Sequence, residues 1–140
     1  MSVRVFLDAN VLFSAAYREK GSVRAFFALA GAGACTLVSS AHAAEEARRN
    51  IAAKHPHRLE DLERLVAALE LCPEPRPATI ALAAKEGLPP KDAPILAAAI
   101  EAGCHVLATG DRRDFGALFG RRFRKTVVML PTEAIELLLG

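Results

Sequence analysis

The sequence predicts an α/β fold in which short parallel strands form a sheet with helices on both faces. Four short apolar runs alternate along the chain with longer segments whose apolar residues recur at helical spacing. These runs are continuous, as expected of strands that are buried on both sides. With 140 residues, 52% of them hydrophobic, the chain is long enough for one domain, residues 1–140, with a substantial core.

The elements follow one another in a regular order. Strands are predicted at residues 3–7, 36–38, 105–109 and 126–130. Helices are predicted at residues 10–17, 22–30, 41–54, 58–71, 78–86, 92–102, 114–119 and 132–139. Their boundaries rest on polar N-caps and terminal glycines, namely Ser22, Asp92, Thr132, Gly31, Gly87 and Gly103.

Composition and cysteine usage limit the class of protein. The formal net charge of +2 is too small to identify a nucleic-acid partner by itself. The three cysteines, Cys35, Cys72 and Cys104, lie far apart without metal-binding spacing, so we expect buried thiols in a reducing compartment. The first apolar run is too short for a signal peptide, and no run reaches the roughly 18 residues of a membrane span. We therefore expect a cytoplasmic protein without a membrane partner.

Carboxylates follow the strands in a pattern that suggests a site. Asp8 and Asp111 each come directly after an apolar strand, which would place both at the same edge of the sheet. Asp114 lies three residues beyond Asp111, and Asp92 begins a helix. Gathered carboxylates repel one another, and a divalent cation such as Mg²⁺ or Mn²⁺ relieves that repulsion through hard oxygen ligands. Without histidine or cysteine ligands, such a cluster disfavours zinc.

Each acid also has an ordinary explanation. Asp8 could simply form a turn after its strand, and Asp92 could serve only as an N-cap. Asp111 with Asp114 could form a turn and a cap. Glu45 and Glu46, early in the helix after the second strand, could be exposed helix charges.

Four segments together resemble the PIN-domain ribonucleases. The segment FLDANVL at residues 6–12 resembles the opening of that family, and KDAPILAAA at residues 91–99 resembles its third acidic motif. TGDRRDF at residues 109–115 resembles the fourth motif, and Ser40 followed by Glu46 is similar to the second. The segments occur in the family order and span nearly the whole chain.

The resemblance implies a three-layer α/β/α sandwich with a central parallel sheet of four to five strands. It also implies an acidic, Mg²⁺- or Mn²⁺-dependent site that hydrolyses RNA phosphodiester bonds. Carried over by position, the catalytic and metal-binding acids are Asp8, Glu46, Asp92 and Asp111. The supporting residues are Asn10, Ser40, Thr109 and Asp114. One departure is the pair Pro89-Pro90, where relatives often carry a further acid.

Partners are also implied by the resemblance. Many single-domain relatives are the toxin half of bacterial toxin–antitoxin pairs and form homodimers, so an antitoxin and a second copy are expected, the latter near Phe26 and Phe27. Residues 112–125 carry six cations against one acid. This stretch would hold the RNA backbone through Arg112, Arg113, Arg121 and Arg122, although an ordinary solvated surface has the same composition.

Two other functions are also compatible with the sequence. A haloacid-dehalogenase-like phosphatase would use Asp8 as its nucleophile, but such enzymes have an aspartate where this chain has Asn10. A PIN-like module that binds RNA or protein without cutting it is the second alternative. The four histidines form no site that their spacing supports, and surface or structural roles are expected for them.

Overall fold

A computed structural model describes residues 2–140 of the chain. The strands are β1 (Val3–Leu7), β2 (Cys35–Ser40), β3 (Glu70–Cys72), β4 (Val106–Ala108), β5 (Arg122–Phe123) and β6 (Thr126–Met129). The helices are α1 (Ala9–Tyr17), α2 (Ala25–Gly31), α3 (Ala41–Lys54), α4 (Leu59–Ala67), α5 (Pro77–Ala84), α6 (Ala93–Glu101), α7 (Arg112–Phe115) and α8 (Pro131–Leu139). The strands form one sheet in the order β3-β2-β1-β4-β6-β5, flanked by the helices.

The predicted α/β fold with a central parallel sheet is confirmed. Strands β3, β2, β1, β4 and β6 are parallel to their neighbours, and β5 alone pairs antiparallel, with β6. Val5, Phe6 and Leu7 of the central strand are fully buried, because helices cover the strand. Because the strand is buried on both faces, its sequence is a continuous apolar run.

The structure differs from the predicted boundaries in three places. The helix predicted at residues 58–71 ends at Ala67, because Glu70–Cys72 pairs with β2 as a further strand. The helix predicted at 114–119 is divided into α7 and a 3₁₀ turn, Gly116–Leu118. Ser22–Arg24 forms a separate 3₁₀ turn ahead of α2.

The order of the strands creates a crevice at one edge of the sheet. From β1 the chain moves outward to β2 and β3, and then returns to place β4 on the other side of β1. The last residues of the two central strands, Leu7 and Ala108, are register partners. The segments that follow β1 and β4 therefore lie side by side at a topological switch point, where open α/β sheets bind ligands.

The interior contains the thiols expected from the sequence. Cys35, Cys72 and Cys104 are free and buried, and burial raises the pKa of the Cys104 thiol to about 12. In the segment where a second copy was expected, Phe26 is fully buried within its own protomer and Phe27 is partly exposed, so a contact there would involve Phe27 and not Phe26. Within residues 2–140, no helix is both long and apolar enough to cross a membrane.

Candidate active site

The crevice between β1 and β4 has a hydrogen-bonded floor made of Asp8, Asn10 and Thr109. Asp8 ends β1 and caps α1, its Oδ1 accepting a 2.7 Å hydrogen bond from the Ala9 amide. Its Oδ2 accepts 2.8 Å from Thr109 Oγ1 and 3.1 Å from Asn10 Nδ2. Asp8 is only 3% exposed, so these donors compensate for the hydration that its carboxylate has lost.

The floor also fixes the loop that carries Asp111. The Thr109 hydroxyl accepts a 3.1 Å hydrogen bond from the Asp111 amide, while Asn10 Oδ1 accepts 2.8 Å from the Gly110 amide. Asp111 then begins α7, where its Oδ1 accepts 3.1 Å from the Arg113 amide and 3.0 Å from the Asp114 amide. The predicted turn after β4 is real, and it aims the Asp111 carboxylate into the crevice.

Beside the floor lies an acidic trio, Asp92, Asp111 and Asp114. Each of the three carboxylates offers one oxygen, and these oxygens lie within 4.8 Å of one another. Burial raises the pKa of Asp8, and repulsion from the nearby carboxylates of Glu46 and Asp111 adds to that rise. Of the acids that the sequence pattern singled out, the structure brings Asp92, Asp111 and Asp114 together, whereas Asp8 and Glu46 lie near this trio but outside it.

Asp92 does not play the helix-capping role that its position allows. It occupies the N-cap position of α6, but its side chain accepts no hydrogen bond from that helix. It is 5% exposed, and its Oδ2 is the one buried side-chain polar atom within residues 2–140 that lacks a hydrogen-bond partner. A buried carboxylate oxygen without a donor is costly, so this atom indicates a ligand.

Proton affinities in the site follow from burial and repulsion. Burial raises the pKa of Asp8 to about 6, against the opposing hydrogen bonds from Thr109 and Ala9. Burial also raises the pKa of Asp92 to about 7, and the hydrogen bond to Asp114 that Asp92 can form only when it is protonated adds to that rise. The same hydrogen bond lowers the pKa of Asp114. Near neutral pH the crevice therefore resists carrying its full negative charge unless a cation enters.

These residues fit a hard divalent cation. The donors are all carboxylate oxygens, they converge within 4.8 Å, and one of them is buried without a partner. Oxygen-only sites suit Mg²⁺ and Mn²⁺, and softer metals prefer nitrogen or sulfur ligands.

Helix α3 contributes one acid to the wall of the crevice. Ser40 caps this helix, its Oγ accepting 3.1 Å from the Ala43 amide, and thereby sets where the first turns of α3 lie. Glu46 lines a cleft of about 450 Å³ together with Asn10 and Asp111. Glu45 instead is exposed and pairs with Arg48 at 3.6 Å. Of the two neighbouring glutamates, Glu46 faces the site.

Sequence reasoning gave no role to Lys91, which also lines the cleft. Its Nζ lies 3.7 Å from Asp114 Oδ2, and its backbone carbonyl is 3.0 Å from His42 Nε2. The carboxylate of Asp92 raises the pKa of Lys91, so the ammonium group keeps its charge. Its position directly before Asp92 was the one available signal. Ser14, one helical turn after Asn10, also lines the cleft and could have been found from that spacing.

The structure places the four arginines of the basic stretch, residues 112–125, in two separate regions. Arg112 and Arg113 are exposed on α7, directly after Asp111. Arg121 pairs with Glu86 at 3.1 Å and lies 5.0 Å from the Phe123 ring, and Arg122 is on the edge strand β5. The first two arginines are therefore at the crevice, and the other two belong to the hairpin at the edge of the sheet.

Several solved structures have the same architecture as this chain. VapBC2 from Rickettsia felis, bound to a DNA fragment from its promoter, matches with a TM-score of 0.68 and 17% identity, covering 91% of this chain and 98% of that one. PAE2754 from Pyrobaculum aerophilum matches with a TM-score of 0.61 and 18% identity, and the match covers 99% of this chain and 97% of that one. FitAcB from Neisseria gonorrhoeae matches with a TM-score of 0.58 and 23% identity, and the match covers 91% of this chain and 98% of that one. At these identities the likeness concerns the fold.

The sequence itself gives the more specific result. No curated protein matches the chain. A family model described as PIN domain matches residues 4–113, a range that contains the floor, Glu46, Asp92 and Asp111. Four strands, the switch-point crevice and the converging acids all lie within or beside that range, and the chain belongs to the PIN domain family.

Proposed function

We propose that this protein is a metal-dependent endoribonuclease and the toxin component of a bacterial toxin–antitoxin pair. PIN domains are generally nucleases. The observation that carries the proposal is the buried, unpartnered Oδ2 of Asp92 beside two further carboxylates. A module that only bound RNA or protein would not need an uncompensated carboxylate in its crevice, because a neutral side chain would cost less.

Asp92 and Asp111 would hold Mg²⁺ or Mn²⁺ directly, with Asp8 at the floor and Glu46 on the wall completing the set. When bound, such an ion polarises a phosphate and lowers the pKa of water in the site. Thr109 and Asn10 keep Asp8 oriented through the 2.8 Å and 3.1 Å hydrogen bonds described above. Because both donors remain in place, the floor needs no rearrangement when the substrate arrives.

The cationic residues would bind the RNA strand. Lys91 lies in the cleft and can neutralise charge on the phosphate under attack. Arg112 and Arg113, exposed beside Asp111, can contact neighbouring phosphates. Single-stranded or looped RNA is the expected substrate, because its backbone and bases are accessible. The residue two positions after Asp8 is Asn10 and not a second aspartate, which argues against a phosphatase that uses Asp8 as its nucleophile.

The proposed partners follow from the similar structures. One holds VapBC2 on a promoter DNA fragment, and another holds FitAB on the IR36 DNA fragment. We propose by analogy that this chain also has an antitoxin that binds DNA, forms a homodimer, and acts in the cytoplasm. The antitoxin would be expected to cover the acidic crevice.

The test is cleavage of a mixed RNA pool by the purified protein with Mg²⁺, with Mn²⁺ or with EDTA. Asp92→Asn is compared with Asp61→Asn, which removes an acid from the helix surface of α4, where Asp61 pairs with Arg58 at 3.1 Å. We expect cleavage that requires metal, persists in Asp61→Asn and is lost in Asp92→Asn.

Equal cleavage by the wild type and Asp92→Asn would indicate a contaminating nuclease and contradict the assignment of the site. A folded wild type that binds Mn²⁺ and RNA but cuts no RNA in the pool would favour the binding module. Circular dichroism of each variant confirms that the comparison is between folded proteins.

A further inference from the structure

A cluster of aromatic and imidazole rings lies outside the acidic crevice. We call it the aromatic platform; it consists of Phe13 and Tyr17 on α1 with His55 and His57 after α3. Tyr17 and His55 are stacked, with ring centroids 4.0 Å apart and an interplanar angle of 18°. His55 meets His57 edge-on at 6.1 Å, and Phe13 lies 5.9 Å from His55. Tyr17 nevertheless remains 39% exposed.

The platform is connected to the crevice by two helices. Helix α1 carries Asn10 at the crevice and Tyr17 two turns later on the same outward face, about 10 Å along the helix axis. Helix α3 carries Glu46 at the crevice and Lys54 two turns later. The two helices pack against each other, so the acids at their N-terminal ends and the stacked rings at their C-terminal ends belong to one continuous face of the protein.

The charge next to the aromatic platform is basic, in contrast to the acidic crevice. The Lys54 ammonium lies 5.6 Å from the centroid of the Phe13 ring, and the Arg18 guanidinium lies 6.0 Å from that of Tyr17. Neither cation forms an ion pair with another of residues 2–140. The nearby acid Glu19 is paired with Arg58 at 3.7 Å.

Exposed stacked rings beside unpaired cations match the chemistry of single-stranded nucleic acid. Bases stack on aromatic faces regardless of sequence, and lysine or arginine neutralises the phosphates between them. The unpaired cations favour a nucleic acid over a protein partner, because the phosphates of a single strand supply the negative charge that Lys54 and Arg18 lack within the chain.

We propose that the aromatic platform is a base-stacking subsite for single-stranded RNA, which holds a nucleotide a few positions away from the phosphate in the acidic crevice. The inference rests on the proposed ribonuclease function and adds a second contact to the same substrate. Tyr17 and His55 bind the base, and Lys54 and Arg18 bind the flanking phosphates. Neither group takes part in the chemistry at phosphorus.

The experiment measures binding of a fluorescent oligouridylate to the Asp92→Asn protein in EDTA, where cleavage is prevented. A second oligomer with the same backbone but abasic sugars separates stacking from electrostatic attraction. We expect Tyr17→Ala to weaken binding of oligouridylate about tenfold, within the range of one lost base–aromatic stack, and to leave the abasic oligomer unaffected.

Three further variants define the contact. Tyr17→Phe keeps the ring and should bind like the parent protein. Lys54→Gln should weaken both oligomers and lower the salt dependence by about 0.7 in log–log slope, as expected for one phosphate contact to a single strand. Leu82→Ala, at a 51% exposed leucine on α5, is the control for loss of exposed apolar surface and should bind normally.

Several results would overturn the inference. The first is that the parent protein does not bind oligouridylate. The second is that Tyr17→Ala binds oligouridylate as tightly as the parent does. The third is that Tyr17→Ala loses the same affinity for oligouridylate and for the abasic oligomer. Metal-dependent cleavage of the same RNA by otherwise wild-type protein is measured in parallel. Base-dependent binding through Tyr17 without cleavage would reject the nuclease and keep the subsite. Cleavage with unchanged KM in Tyr17→Ala would reject the subsite and keep the nuclease.

Discussion

The floor and the acidic trio lie side by side, yet their carboxylates are satisfied in different ways. Asp8 in the floor receives hydrogen bonds from a backbone amide, a hydroxyl and a side-chain amide. Asp92 in the trio is equally buried, but one of its oxygens receives none among residues 2–140. The protein supplies every partner in the first region and leaves one carboxylate oxygen without a partner in the second, which is where the proposed cation would bind.

This difference separates two kinds of requirement in one crevice. The floor is completed by folding, so it can set geometry before any ligand is present. The trio is completed by binding, so its charge opposes folding until the ligand arrives. Changes in the trio should therefore affect activity most, whereas changes in the floor should affect stability and activity together.

Outside the trio, the largest effect on activity should come from Glu46, the acid on the wall of the crevice. We expect Glu46→Gln to lower the rate of RNA cleavage by more than about 100-fold, because it removes a charged ligand that the metal needs. Glu45→Gln, one residue earlier, is the matched control, since Glu45 is exposed and paired with Arg48. Single-turnover cleavage at saturating Mg²⁺ measures both. Equal rates in the two variants would remove Glu46 from the site.

A smaller effect is expected where the floor supports the trio. Thr109→Val removes the donor to Asp8 Oδ2 and the acceptor of the Asp111 amide. We expect a loss of about 1–3 kcal/mol in the free energy of unfolding, and cleavage slower by about 10–100-fold. Thr109→Ser, which keeps the hydroxyl, should restore most of both. Urea denaturation and single-turnover rates provide the measurements, and a Ser variant as impaired as Val would show that packing, not hydrogen bonding, is what matters.

The smallest effect concerns stability without metal. Burial raises the pKa values of Asp8 to about 6 and Asp92 to about 7, above the unfolded value of about 3.9. Between these values the native state binds more protons than the unfolded state, so the free energy of unfolding falls as pH rises. In EDTA we expect the protein to be more stable at pH 5 than at pH 8.

Calorimetry in EDTA across that pH range measures this trend. Asp92→Asn should flatten it and should be more stable than wild type at pH 8, because it removes a buried charge that has no partner. Added Mg²⁺ should stabilise the wild type at pH 8 and not the variant. A melting temperature that rises from pH 5 to pH 8 in EDTA would contradict the burial of these charges.

Sequence patterns predicted the central part of the sheet and failed at its edges. Strands β1, β2, β4 and β6 are apolar because helices cover them, and this burial leaves a readable signal. The edge strand β3, Glu70–Cys72, includes two exposed residues and follows a helix whose apolar spacing continues into it. Strand β5 has two residues, one of them a charged arginine. Pairing with a neighbour, and not local propensity, makes these segments strands.

Sequence patterns could predict where several candidate site residues lie in the fold, but not the contacts that they make. Asp8 and Asp111 could be placed together because parallel strands end at one edge. That Asp92 would not cap its helix depends on the neighbouring trio, which no local pattern describes. The stacking of Tyr17 on His55 joins helix α1 to the segment after α3, which is distant in sequence. The spacing of the histidines along the chain therefore gave no sign of this contact.

The switch-point topology also determines when the crevice can form during synthesis. Asp8 leaves the ribosome early, but its partner Thr109 emerges about a hundred residues later, and the Thr109 amide in turn donates to Met129 in β6. A nascent chain therefore carries its first acid for most of its translation without a complete floor. The crevice can therefore be completed only after almost the whole domain has been released, so whatever chemistry it supports is a property of the finished chain and not of the nascent one.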